Sequence, residues 1–166
     1  MRTITDKQEA LEAVSRNGMA LEYASYDLKN DKEVVLAAVT REGYALQYAS
    51  DKLINDKDVV LAAVSQDGYV LQWADASLKI DKDVVLAAVS NYGYALRYAS
   101  DELKADRDVV LAAVSRDGWV LEDESSYDLQ SDKEFILAAV TQNGWVLEYA
   151  SEELQNDKEI RKAAGL

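Results

Sequence analysis

The chain has 166 residues, 49% hydrophobic and 30% charged, with 18 basic against 31 acidic side chains and a net charge of −13. That apolar content excludes a disordered chain. The acidic balance argues against nucleic acid as a direct partner, since phosphate contacts need clustered Lys and Arg. Cysteine, histidine and proline are all absent, which removes disulfides, thiolate metal sites, an imidazole base and the His-containing zinc motifs.

No stretch approaches the roughly 18 to 20 apolar residues of a membrane span, so no membrane association is expected. The N-terminus MRTITDKQEALEAV lacks the basic-then-apolar layout of a signal peptide, and a cytoplasmic location, at least where the chain is made, follows as the expectation.

Along the chain, glycine recurs at Gly18, Gly43, Gly68, Gly93, Gly118 and Gly144, a period of 25 residues lengthened to 26 in the last interval. An Asp-Lys or Asp-Arg pair keeps the same beat at Asp6, Asp31, Asp56, Asp81, Asp106 and Asp132, with a seventh at Asp157. Self-similarity at a fixed period predicts stacked supersecondary units. The expected architecture is one all-α domain over 1–166, an αα-solenoid of six two-helix repeats near 6–30, 31–55, 56–80, 81–105, 106–131 and 132–156, with a C-terminal cap at 157–166.

The third repeat shows the reasoning. Asp56 is an N-cap acceptor, Asp58 puts negative charge in the first turn, and Gly68 is expected to take the left-handed conformation that closes a helix. Between them Val59, Val60, Leu61, Ala62, Ala63 and Val64 are apolar all round, which predicts a helix buried on nearly every side. The cap, the Ala-Ala pair and the glycine favour that helix over a strand. Further on, Leu71, Ala74 and Leu78 recur at i, i+3 and i+7 and predict a one-sided amphipathic second helix.

The first repeat carries Glu9 and Glu12 where others have Val34 and Ala37, and the chain ends in DKEIRKAAGL with Arg161 and Lys162 at apolar positions. Polar end repeats of this kind predict a complete array.

The pattern D-K-x-V-V-L-A-A-V-[ST]-x-x-G-x-x-L-x-[YW]-A-S-x-x-L resembles the repeats called domain of unknown function 4116, from about Asp6 to Asn156. The resemblance implies an all-helical repeat of bacterial and protist proteins, including some secreted effectors of intracellular bacteria, so a secreted effector is the location it adds. It brings no activity, cofactor or catalytic residue.

Two aromatic columns accompany the repeat. Met19, Tyr44, Tyr69, Tyr94, Trp119 and Trp145 follow the glycines, and Tyr23, Tyr48, Trp73, Tyr98, Asp123 and Tyr149 stand four residues later. The first column is expected to pack back on the preceding helix, Tyr69 against Val64, and the second to stack edge-to-face between repeats; both read as structural before functional. The repeated Asp-Lys-Asp and Asp-Lys-Glu triplets are explained by capping and the helix dipole, and a convex helical array offers no shared cleft for a catalytic carboxylate pair.

Repeat five breaks the pattern, with Asp123-Glu124-Ser125 standing where repeat one has Tyr23-Ala24. The consecutive carboxylates Glu122, Asp123 and Glu124 diverge on a helix and lack the loop spacing of a calcium site, so a partner contact is the stronger reading and no metal or cofactor is called for.

The function expected is a non-enzymatic protein-binding scaffold, monomeric, with the variable positions Tyr26, Asp51, Ala76, Asp101, Tyr127 and Glu152 supplying specificity together with the repeat-five acids. An acidic mimic that occupies the basic groove of a nucleic-acid-binding protein is one alternative, and an engineered or consensus chain without a native partner is another.

Overall fold

The computed structural model describes residues 2–123 and 127–166, and the side chains of Asp123 and Tyr127 lie outside the described residues. Each regular repeat is written in three pieces. In the third these are a ten-residue α-helix Lys57–Gln66, a six-residue 3₁₀-helix Gly68–Trp73 and a four-residue α-helix Ala76–Lys79. No strand occurs among the described residues. Each long helix packs on the next, from Lys7–Arg16 through Lys32–Arg41, Lys57–Gln66, Lys82–Asn91, Arg107–Arg116 and Lys133–Gln142 to Lys158–Ala163. The protein is an all-α solenoid of repeats.

The long helix starts where the sequence places its cap. Asp81 Oδ1 accepts from the backbone N–H groups of Asp83 at 3.0 Å and Val84 at 3.2 Å, satisfying two donors that a helix start would otherwise leave open. Val84, Val85, Ala88 and Val89 are fully buried against the neighbouring repeats, each valine contributing roughly 1.5–3 kcal/mol. Leu86 and Ala87 are only half-buried, so the helix is covered on two flanks and partly open on a third, short of the all-round burial its composition suggests. Glu9 and Glu12 are exposed, while Val34, at the position of Glu9, is wholly buried.

Two expectations are corrected. None of the six periodic glycines has positive φ; the long helix ends instead in an extended C-cap residue, Asp67 at φ −150° and ψ 113° in the third repeat. The glycine is required by proximity. A Cβ at Gly68 would sit 2.1 Å from the Ala88 carbonyl oxygen of the following repeat, and at Gly18 2.4 Å from that of Ala38.

The second correction concerns the amphipathic helix, which is divided. Leu71, Ala74 and Leu78 are buried as the periodicity implies, but Ala74 at φ −63° and ψ 151° is extended and separates the 3₁₀ segment from the short α-helix. The reason lies in the adjacent repeat. The backbone N–H of the next residue donates to a carbonyl of the preceding repeat, Asp75 to Ile54 at 3.0 Å, Ser50 to Lys29 at 3.0 Å and Ser100 to Lys79 at 3.1 Å. A residue inside a continuous helix has its N–H committed to i−4 and has none to give.

A ladder of ion pairs runs along the helix starts. Lys57 Nζ lies 2.8 Å from Asp81 and 2.9 Å from Asp83 of the next repeat. Lys7, Lys32, Lys82 and Lys133 reach the following cap aspartate and its neighbouring acid in the same way, and Arg107 pairs with Asp132. The Asp-Lys pair therefore caps its own helix and clamps its neighbour.

These contacts make two outcomes checkable. Gly68→Ala pushes a methyl into backbone that cannot swing aside and should lower unfolding stability by about 1–3 kcal/mol. Gly118→Ala, whose nearest neighbouring atom would be 3.4 Å away, should change it by less than about 1 kcal/mol in either direction; urea denaturation of the two variants decides the point.

The second outcome is a pH dependence. The partner lysine holds the carboxyls of Asp31, Asp56 and Asp81 below the usual 3.8, and the facing aspartates hold Lys32 and Lys57 above 10.5. Unfolded aspartates then bind more protons than folded ones, so the stabilisation is complete above pH 3.8 and is lost as pH falls through the depressed folded values. The lysine contribution is present below pH 10.5 and is lost as pH rises through the raised folded values. Asp81→Asn keeps a capping oxygen and loses the charge, and should flatten the acid limb of the urea midpoint against pH.

Candidate functional site

The site is built on the 3₁₀ segments. With three residues per turn, positions four apart are turned by about a third of a revolution, whereas on an α-helix they nearly overlie each other. The two aromatic columns therefore do not share one face of one helix. They meet both within and across repeats. Trp73 lies edge-on to Tyr44 at 5.3 Å and to Tyr69 at 6.3 Å between ring centroids. Tyr69 stacks with Tyr44 at 6.2 Å and takes Tyr98 edge-on at 5.6 Å.

Tyr92 stands at the helix end where other repeats have Asn17, Glu42, Asp67, Asp117 or Asn143. Its ring bridges Tyr69 and Tyr94, each at 6.2 Å, and Tyr94 lies 4.6 Å from Trp119. Tyr44, Tyr69, Trp73, Tyr92, Tyr94, Tyr98 and Trp119 thus form one contiguous band over repeats two to five. Tyr69, expected against Val64 of its own helix, meets rings of both adjacent repeats, and Trp73 and Tyr98, expected to stack in their own column, touch first-column rings. The signal that identifies the bridge is the single off-pattern Tyr92.

The band is only partly covered. Tyr44 and Trp119 keep 39% of their surface exposed, and Trp145 further along keeps 74%. Cations of the chain itself lie on two of its rings and on Tyr48 outside it. The Arg97 guanidinium is 4.6 Å from the Tyr94 centroid and 5.8 Å from that of Tyr98, and Lys29 lies 5.9 Å from Tyr48. Carboxylates line the same edge and serve as acceptors: Asp67 from Tyr69 N–H at 2.9 Å, Asp117 from Gly93 N–H at 2.9 Å and Glu42 from Met19 N–H at 3.2 Å.

Burial, and then the charge of Asp67, raises the Tyr44 phenol above its usual range; burial, and then Asp117, does the same for Tyr92. Burial pushes Tyr98 up to about 12, with its hydrogen bond to Tyr69 adding to the effect, while that bond lowers Tyr69.

A recess of about 440 Å³ opens on the band between Met19, Tyr44, Glu42, Asp67, Gln66 and Arg41. A second cleft, about 550 Å³, lies between Trp145 and the last helix, bounded by Glu148, Arg161 and Leu166. Among the described residues no group of acidic side chains is placed to hold a metal ion, and no described helix is long and apolar enough to cross a membrane.

The variable positions come to a different edge. Tyr26, Asp51, Ala76, Asp101 and Glu152 each open a short α-helix and are exposed, Tyr26 by 78%. Tyr127 opens the equivalent helix Tyr127–Gln130, its side chain outside the described residues. In repeat five an α-helix Val120–Asp123 replaces the 3₁₀ segment, and Glu122 on it is exposed. The Asp123 side chain and Glu124, the other members of the acidic trio, lie outside the described residues.

Coupling within the band can be read by titration. Tyr69→Phe removes the bond to Tyr98 and leaves its burial, so Tyr98 should ionise below about 12 yet above the ordinary 10.0. Carbon-13 tyrosine spectra followed against pH measure this directly.

A family model for a domain of unknown function (DUF4116) matches residues 6–54, 31–79, 81–130 and 132–164, so the same unit is found in overlapping registers along the chain. No curated protein and no solved structure matches the chain. Those segments leave out little beyond the termini, and the protein belongs to the DUF4116 repeat family.

Proposed function

We propose that the protein is a non-enzymatic scaffold, monomeric on its own, that binds another protein through the aromatic band. The observation that carries this reading is the continuity of rings over repeats two to five combined with the exposure that Tyr44 and Trp119 retain. Tyrosine and tryptophan dominate the energetics of protein interfaces because each buries a large rigid surface at small entropic cost. Rings already fixed by their neighbours have less freedom to lose on binding. The exposed short-helix column with Tyr26, Asp51, Asp101 and Glu152 offers a polar second edge, suited to setting specificity.

Catalysis finds less support. The regularly repeated aspartates are occupied as caps and as partners of Lys7, Lys32, Lys57, Lys82, Arg107 and Lys133. The same pairing weakens the reading as an acidic mimic, because a mimic needs its carboxylates open to a basic groove.

The test is capture from source-cell lysate with wild type and with Tyr44→Ala/Trp119→Ala, circular dichroism confirming that helicity is kept. A partner retained at high salt and lost in the double variant is the expected result. Loss with Asp101→Lys/Glu152→Lys, while Tyr44→Ala/Trp119→Ala still binds, would move the binding face to the short-helix edge. Capture of many basic proteins that vanishes with salt in every variant would favour the mimic.

A further inference from the structure

The band treats its rings differently from repeat to repeat: Tyr44 has Trp73 edge-on, Tyr94 has Tyr92 edge-on, and of the two only Tyr94 carries an arginine of its own segment. In the fourth repeat Tyr94-Ala95-Leu96-Arg97 places a guanidinium 4.6 Å over the ring three residues before it. In the second repeat the same register reads Tyr44-Ala45-Leu46-Gln47, and the Gln47 amide donates to the Tyr44 carbonyl at 3.1 Å. Tyr44 therefore has no arginine of its own segment over its ring. The recess of about 440 Å³ opens at this ring.

Its chemistry suits a cation. Met19 and Tyr44 supply a polarisable thioether and a π-face, while Glu42 and Asp67 supply two carboxylates against the single guanidinium of Arg41. Each carboxylate gives one oxygen to a backbone N–H, Glu42 Oε2 to Met19 and Asp67 Oδ1 to Tyr69, and its second oxygen is left to receive another donor. A guanidinium placed there would lie on an aromatic face beside a carboxylate, as the fourth repeat holds its own over Tyr94.

We propose that the recess at Tyr44 is a binding site for an arginine side chain presented by an extended basic segment of the partner protein. The inference rests on the band being a docking face, and it names what that face recognises. Arg97 over Tyr94 shows that a ring of this column accepts a guanidinium, and at Tyr44 the recess offers Glu42 and Asp67 beside the ring.

The experiment uses an eight-residue peptide of alternating arginine and serine and its neutral citrulline counterpart, titrated by calorimetry and by amide NMR shifts into the whole chain at physiological salt. Gln47→Arg supplies the missing arginine in cis. Glu42→Gln/Asp67→Asn removes the carboxylate charge and keeps the acceptors. Both should weaken the arginine peptide by about tenfold, the range of one cation–π contact with its ion pair. Gln8→Arg and Glu134→Gln/Glu153→Gln make the same charge changes on exposed positions away from the recess and should weaken it less than about twofold, as expected of screened surface charge. The amide shifts should centre on Met19 and Tyr44.

Equal weakening by recess and control variants, equal binding of the citrulline peptide, or shifts spread along the acidic surface would overturn the inference. The two readings fail separately. A lysate partner lost in Tyr44→Ala/Trp119→Ala while the arginine peptide shows no preference for the recess leaves the scaffold and removes the arginine site; no partner sensitive to the band removes the scaffold.

Discussion

The close approach of Gly18, Gly43, Gly68 and Gly93 to the next repeat's alanine carbonyl sets the pitch on which the contacts between those repeats depend. With no room for a methyl at Gly18, Gly43, Gly68 or Gly93, successive repeats settle at a separation that side chains alone would not permit. At that pitch a lysine at the first position of one long helix reaches two acids of the next, and a serine or aspartate N–H reaches the preceding short helix. Rings of successive repeats come to 4.6–6.2 Å. Each of these contacts spans some 20 to 29 positions of sequence, and none forms within a single repeat.

Repeat five is the internal control. There the glycine approach is relaxed, with 3.4 Å to the nearest atom at Gly118, and the segment after it is an α-helix, Val120–Asp123, in place of the 3₁₀ turns seen elsewhere. The long helix ahead of it, Arg107–Arg116, is unchanged, and its fully buried Val109, Val110, Ala113 and Val114 match their counterparts. The long helices are thus the invariant frame, and the 3₁₀ segments adapt to the distance at which the next repeat arrives. The aromatic band sits on the adaptable layer, and there single-residue differences such as Tyr92, Arg97 and Gln47 individualise an otherwise repeated surface.

The two charged edges do different jobs. Along the helix starts, acids and bases alternate between repeats, and the carboxyls are held below their usual range by the lysine or arginine that each one faces. On that edge each base is paired with one or two acids. Along the helix ends, Glu42, Asp67 and Asp117 accept from backbone donors beside phenol rings, and burial first, then the charge of Asp67 or Asp117, raises Tyr44 and Tyr92. The net charge of −13 is therefore uneven in its effect, and the aromatic edge is where carboxylates keep acceptor capacity next to apolar surface.

The repeat period was legible because the same letters recur every 25 residues, and the cap aspartates, the long helices and the apolar run of valines and alanines because each leaves its pattern within about four positions of the chain. Ahead of the short helix, at Ala74 in the third repeat, the apolar spacing of Leu71, Ala74 and Leu78 suggested an unbroken helix. Burial periodicity was readable there and backbone conformation was not, since the hydrogen bonds that break the helix go to another repeat. The glycine positions were equally plain, but their reason was not: a left-handed cap and a crowded interface leave the same letter in the sequence. Which rings meet, which lysine clamps which acid, and that Tyr44 opens on a recess beside Glu42 and Asp67 depend on the pitch and rotation between repeats. Only the packed tertiary structure decides those quantities, because they arise from contacts between residues 20 or more positions apart.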